Sequence, residues 1–305
     1  MPTDPRAPLS PQVKVLFDMM AAGRATRVLE PKALREGLGA LTALLVAGAP
    51  AVAAERTIEI PGAGGKIRAR VFWPGDPKRG PYPVFVFFHG GGYVAMSPET
   101  HEKLTKQLCV GVGAVVVSVD YRLAPEHRYP APLDDCLAAY RWVRANAKEL
   151  GGDSERLLAG GDSAGGNATA AVALRLIAAG EPLPRALLLL CPWLDMALDT
   201  DSMRTFGPDD GVLDTDIMTF FRDCTCARRT GRIRSRARCA ATCASSRRRS
   251  SSPAASIRCE TTDSSSRRSS RPRAATCHSR ASKACRTTSC SSRASTTASA
   301  RSPRS

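Results

Sequence analysis

"RLLAGGDSAGGNATAAVALRLIAAG" (Arg156–Gly180) changes its rhythm in the middle. Arg156–Asp162 reads as a short strand, and from Ala164 onward the Ala-rich run reads as a helix. Between them, Gly161-Asp162-Ser163-Ala164-Gly165 matches G-x-S-x-G. A turn that passes straight from strand to helix leaves no room for side chains at the flanking positions. It also raises the Ser163 hydroxyl clear of the sheet at a helix N-terminus, where a nucleophile is accessible. Taken alone, the pentapeptide equally fits a glycine-rich turn with an incidental serine.

Working outward, "RTIEIPG" and "KIRARVFWPG" alternate like two antiparallel strands joined by a glycine turn. "YPVFVFF" and "AVVVSVDY" are continuous apolar runs, as expected of strands covered on both faces, and "RALLLLCPWL" reads as another buried strand. Helical spacing appears in "SPQVKVLFDMMAAG", "EPKALREGLGALTALLVAG", "SPETHEKLTKQLCVGVG" and "APLDDCLAAYRWVRANAKEL". "DTDSMRTFGPDDGVLDTDIMTFF" reads as a loop and then a short helix. Strands alternating with helices predict an α/β fold built on a mostly parallel sheet, with helices on both faces.

A second glycine cluster supports a chemical reading of Ser163. His89-Gly90-Gly91-Gly92 follows the "PVFVFF" strand, where backbone N–H groups could be presented to an oxyanion without side-chain obstruction. "DYRLAPEHRYPAPLDDC" (Asp120–Cys136) then joins the next strand to the long amphipathic helix. "HGGGY", "DYRLAPEH", "YPAPLDDC" and "GDSAGGN", in this order, resemble the hormone-sensitive-lipase-like carboxylesterases of the α/β-hydrolase superfamily, over roughly residues 10–223. The resemblance implies that Ser163 is the nucleophile, that Gly91, Gly92 and Ala164 donate the oxyanion N–H groups, and that His89, Gly90, Asp162, Gly161 and Gly165 support the surrounding loops. It further implies an N-terminal helical cap and hydrolysis of short to medium acyl esters through an acyl-enzyme, with no cofactor and no metal. His127, in the "APEHRYP" turn, is expected to pack and hydrogen-bond, and His101 to be solvated.

The C-terminal part has a different character. Residues 1–223 carry 24 Lys+Arg and 26 Asp+Glu, whereas residues 224–305 carry 20 and 2, so the chain's net charge of +16 belongs to the last segment. That segment also holds 8 of the 11 cysteines and 21 serines, and it has no Leu, Val, Met, Phe, Tyr or Trp, so it cannot bury enough apolar surface to order itself. The expected organisation is a cap over 1–54, an incomplete hydrolase core over 55–223 and a disordered tail over 224–305. The triad acid and histidine should follow the serine, yet the late candidates, Asp263 in "TTDSSSRR" and His278 in "ATCHSR", lie in no suitable turn.

The genetic code accounts for this composition if the frame slips by one base near Phe221. Restarting each codon at its third base turns Ser (TCN) into NTC and Cys (TGC) into NTG, which encode Leu, Val, Ile, Phe or Met. With third bases free, Ala244–Asp263 can then spell V-L-P-P-A-L-V-V-A-G-G-F-D-P-L-R-D-D-G, and "SKACRTTSC" can spell E-G-L-P-H-D-F-L. These are a strand with an acid turn and a histidine turn, on codons straddling Ser256/Ile257 and Arg286/Thr287, about thirty residues apart. The chain as written is therefore expected to turn over little or no ester, and its last strands are expected to be missing, which leaves "RALLLLCPW" an exposed apolar edge.

Two other classes compete. One is a catalytically silent hydrolase fold that binds a small molecule, and the other a basic tail that binds nucleic acid by counterion release. "CTC" and "CAATC" lack the second matching pair of a zinc site. Cys109, Cys136 and Cys191 read as buried free thiols of a reducing compartment. "MPTDPRAPLS" lacks the pattern of a secretory signal, and the uncharged stretch 37–54 is expected to be a buried or cap helix rather than a span. The expected location is cytoplasmic, and the oligomeric state is left open.

Overall fold

The computed structural model describes residues 10–226, all within one unit spanning Arg6–Pro253. Of the tail expected over 224–305, Cys224, Thr225 and Cys226 are described, at the end of a helix that runs to Thr225; Asp263, His278 and the rest of that segment lie outside the described residues. Two helices come first, α1 (Pro11–Gly23) and α2 (Pro31–Leu45). Glu30 caps α2 by accepting the Ala33 N–H at 2.8 Å, with Pro31 at the first helical position, where a missing N–H is harmless. The uncharged stretch after Gly37 is not buried: Leu44 is 73% exposed, and α2 meets the core mainly through Leu34. No helix among the described residues is long and apolar enough to cross a membrane.

β1 (Ala54–Gly62) and β2 (Gly65–Trp73) form the expected hairpin, with Ile60 opposite Ile67 and Gly62 opposite Gly65. β3 (Tyr82–Phe88), α3 (Glu102–Val112), β4 (Val115–Asp120), α4 (Ala131–Ala145), β5 (Gly152–Asp162), α5 (Ala164–Ala179) and β6 (Ala186–Leu190) then alternate. The sheet runs β1-β2-β4-β3-β5-β6; β1–β2 and β2–β4 are antiparallel, and the other pairings are parallel.

The continuous apolar runs are explained by burial on both faces. Val84, Val86 and Phe88 of β3 share one core with Leu133, Tyr140 and Val143 of α4 and Ala168, Val172 and Leu176 of α5. Phe85 and Phe87, pointing the other way, pack with Cys109 of α3 and Val116 of β4. Each buried Val, Leu or Phe among them contributes about 1.5–3 kcal/mol of transfer free energy. Asp135, 1% exposed, anchors α4 to the preceding loop by accepting from Arg122 Nε and Nη2, both at 2.8 Å, and from the Arg122 N–H at 3.0 Å.

Some expectations need correction. β5 begins at Gly152 rather than Arg156, because Tyr82 at the head of β3 pairs with Gly152 across a register shift. Of the two readings of the β6 run, buried strand or exposed apolar edge, the described residues give the second: β6 pairs with β5 alone, leaving Leu187 and Leu188 37% and 36% exposed. Cys191, just after β6, is exposed, unlike the buried Cys109 and Cys136. The segment after Trp193 contains two helices, α6 (Asp201–Phe206) and α7 (Thr215–Thr225), where one was expected. Asp214 caps α7 through the Asp216 and Ile217 N–H groups at 2.9 and 3.0 Å, and also receives Arg27 at 2.6 Å and Arg24 at 3.2 Å. Burial opposes its ionisation, but the Ile217 N–H and the two arginines outweigh it and hold its carboxyl below the usual range.

In-register pairing sets Phe88 of β3 beside Val119 of β4 and Gly161 of β5, with Asp162 beside Leu190 of β6. The glycine cluster, the "DYR" loop, the serine turn and the "CPW" loop therefore leave the sheet at one edge, the carboxyl ends of the parallel strands.

Candidate active site

Ser163 is the single residue between β5 and α5, with φ 50° and ψ −115°. A positive φ in a non-glycine residue carries strain of about 1–3 kcal/mol, so the surroundings must hold it in place. Its N–H donates to Leu190 O at 2.9 Å, while its carbonyl accepts from Asn167 N at 3.1 Å and Trp193 N at 3.0 Å. The flanking glycines are required by contact: a Cβ on Gly161 or Gly165 would overlap the Phe88 carbonyl oxygen. These close approaches lock the turn against the end of β3. Ser163 itself stays partly exposed, at the N-terminus of a helix 16 residues long, whose dipole favours negative charge.

The second glycine cluster winds through left-handed backbone: φ is 102° at Gly91, 62° at Gly92 and 62° at Tyr93. Gly91 O accepts from Val94 N at 3.0 Å and Ala95 N at 2.9 Å, which closes the turn. The Tyr93 hydroxyl donates to Asn167 Oδ1 at 2.7 Å, and Asn167 Nδ2 donates to Trp193 O at 2.9 Å, joining this loop to α5 and to the "CPW" loop. α7 lies on the same loop. A Cβ on Gly92 would fall into the Phe221 ring, and Thr225 Oγ1 donates to Gly92 O at 3.3 Å.

Beneath the loop sits a polar cluster. His89 is fully buried, with Nδ1 2.7 Å from Gly90 O; a carbonyl only accepts, so the ring proton is on Nδ1. Burial first, and then the neighbouring His101, push its pKa down to about 3, so the ring is neutral. Tyr121 stacks on it at 4.3 Å and donates its hydroxyl to His89 O at 2.6 Å. Asp162 accepts the Gly90 N–H at 2.9 Å and lies 3.2 Å from His101 Nε2. Burial raises the Asp162 pKa, but the His101 hydrogen bond and charge outweigh that and leave it below the usual carboxylate range.

The expected solvated His101 is thus corrected: it is 9% exposed, turned inward by Thr100 Oγ1 at 3.0 Å from its Nδ1 and bound to a carboxylate 61 residues away. His127 also departs from expectation. Its side chain is exposed, and its backbone N–H donates to Leu123 O at 2.9 Å. The three described histidines are therefore accounted for elsewhere than at Ser163.

The structure brings Ser163, Gly161, Gly165, His89, Gly90 and Asp162 together through these contacts, and it places Gly91, Gly92 and Ala164 in the same two turns. Tyr93 and Asn167 lay inside the quoted motifs and could have been named from them. Arg35, Asp214, Phe221 and Thr225 had no local signal, because their partners are far away in the chain.

A family model described as alpha/beta hydrolase fold matches residues 85–286. Carboxylesterase NlhH of Mycobacterium tuberculosis is 45% identical over 158 residues, covering 51% of this chain and 48% of the relative. Human hormone-sensitive lipase is 39% identical over 127 residues, covering 41% of this chain and 12% of that one. Among solved structures, the hyperthermophilic esterase from the archaeon Pyrobaculum calidifontis superposes with a TM-score of 0.68 at 37% identity, covering 72% of this chain and 71% of that one. The chain spans about half the length of the curated carboxylesterase and esterase it matches.

Proposed function

From the premise that this chain belongs to the α/β-hydrolase fold family, in its hormone-sensitive-lipase-like branch, we propose that its site is built for carboxylester hydrolysis with Ser163 as nucleophile. The observation that carries this reading is the backbone at Ser163: a strained residue between strand and helix, held where glycines on both sides touch the end of β3. In the reaction, Ser163 Oγ bonds to the acyl carbon while its proton passes to a base. The ester C–O bond breaks, the alcohol leaves with a proton, and water then cleaves the acyl-enzyme to the acid. The N–H groups of Gly91, Gly92 and Ala164 receive the oxyanion, and each such donor is worth roughly 10²–10³ in rate. The substrates in this reading are short to medium acyl esters; the names carboxylesterase and esterase among the relatives support the ester class.

On the same reading, the acid and histidine turns are encoded one base out of register, across Ser256/Ile257 and Arg286/Thr287, and the chain as written turns over little or no ester. The test is hydrolysis of p-nitrophenyl acetate, butyrate and hexanoate by three proteins. These are the full chain, a version with the base restored near codon 221, and Ser163→Ala in the restored version. The expected pattern is background rate, robust rate and background rate. Robust Ser163-dependent turnover by the chain as written overturns the frame reading, and turnover that survives Ser163→Ala overturns the nucleophile.

A further inference from the structure

One side chain of the N-terminal helices reaches the glycine loop. Arg35, on α2, donates from Nε to Val94 O at 2.7 Å and from Nη2 to Ala124 O at 2.7 Å. The same guanidinium meets Glu126, with Nη1 to Oε1 at 2.9 Å and Nη2 to Oε2 at 2.7 Å. Val94 and Ala124 belong to different loops, already joined where the Ala124 N–H donates to Tyr93 O at 2.8 Å. The Val94 N–H in turn donates to Gly91 O at 3.0 Å. Starting from Gly91, the bonds pass through Val94 to Arg35, on to Ala124 and back to Tyr93, enclosing Gly92. A guanidinium is planar and its donors have fixed directions, so two carbonyls bound to one fork are fixed relative to each other; an ammonium imposes no such relation.

We propose that Arg35 is a positioning residue for the Gly91–Gly92 turn, through which the N-terminal helices set the direction of the N–H groups that face a developing oxyanion. This rests on the proposed role of Gly91 and Gly92. The working contacts are the two carbonyl bonds, and the Glu126 ion pair only steadies the fork.

The test is amide hydrogen exchange on the full chain and on Arg35→Ala, Arg35→Lys and Glu126→Gln. Arg35→Ala and Arg35→Lys are expected to speed exchange at Val94, Ala95 and Ala124 by roughly tenfold or more, with the β3 amides unchanged. Glu126→Gln is expected to stay within about twofold of the parent, since both carbonyl bonds remain. Unchanged exchange at those three amides, a rise throughout the chain, or full rescue by Arg35→Lys overturns the proposal. The last of these would mean that a bare charge suffices and that α2 is merely docked. Should Arg35→Ala fail to fold, Arg35→Lys and Glu126→Gln decide between them. In the frame-restored chain, Arg35→Lys is expected to lower kcat on p-nitrophenyl butyrate by roughly tenfold with KM nearly constant; a change in KM alone also overturns it. Absence of hydrolysis in every version strikes the proposed function and leaves the exchange result to judge Arg35.

Discussion

Gly90 and Asp162 are 72 residues apart in the chain, and the Gly90 N–H donates to the Asp162 carboxylate at 2.9 Å. The bond ties the loop after β3 to the residue before the serine. It also explains why position 90 carries no side chain, since a Cβ there would strike the same carboxylate. Asp162→Ala leaves the Gly90 N–H without its acceptor and removes the partner of His101, so a loss of about 1–3 kcal/mol is expected in urea unfolding. The Asp162 carboxyl is held below its ordinary range, so its contribution is full above that range and disappears as pH falls through the folded-state value. Asp162→Asn should therefore show a shallower acid limb than the parent.

His89 gives a separate pH signature. Its folded-state pKa is lowered to about 3 by burial and by His101. An unfolded histidine titrates near 6.5, so between the two values the unfolded chain holds more protons and stability falls as the medium is acidified, by up to about 1.4 kcal/mol per pH unit. His89→Phe keeps an aromatic ring against Tyr121 and cannot take up a proton. Urea midpoints measured from pH 7.5 down to 4 should slope less for this variant than for the parent.

Two glycine-to-alanine changes should have opposite signs. Gly165→Ala places a methyl on the Phe88 carbonyl, which belongs to a central strand and cannot swing aside, so a loss of about 3 kcal/mol is expected. Gly111 lies inside α3 with open space where its Cβ would be, and Gly111→Ala should gain about 0.5–1 kcal/mol. Thermal unfolding of the two variants beside the parent checks both.

Ser163→Gly should stabilise the protein. The parent holds φ 50° there, which glycine adopts freely, so a gain of about 1 kcal/mol is expected together with loss of any Ser163-dependent hydrolysis. Ser163→Ala, which keeps the strained backbone, should show the loss without the gain.

Leu188→Lys on β6 should reduce light scattering on storage at high protein concentration while leaving the unfolding midpoint nearly unchanged. Leu188 is 36% exposed, so the substitution adds charge at the terminal described strand with little loss of core.

Much of this fold was legible in local pattern. Alternation in "RTIEIPG" and "KIRARVFWPG" marked the hairpin, unbroken apolar runs marked β3 and β4, and the glycines around Ser163 marked a turn with no space for side chains. What escaped was made by distance. His101 carries nothing in its own neighbourhood that announces Asp162, and Arg35 lies 59 residues from Val94 and 89 from Ala124. β6 shows a related limit: an apolar run records what a strand is suited to meet, while burial depends on which strands lie beside it.

The strand order has a consequence for synthesis. β1 and β2 can pair as soon as they emerge, but their hairpin reaches β3 only through β4, which inserts between β2 and β3. Once Asp120 has left the ribosome, that half of the sheet is closed. β5 then adds to the free side of β3, and β6 to β5, so growth proceeds in one direction only. A frame change near Phe221 thus falls on the growing front, when the hairpin, the glycine loop and the serine turn have all been laid down.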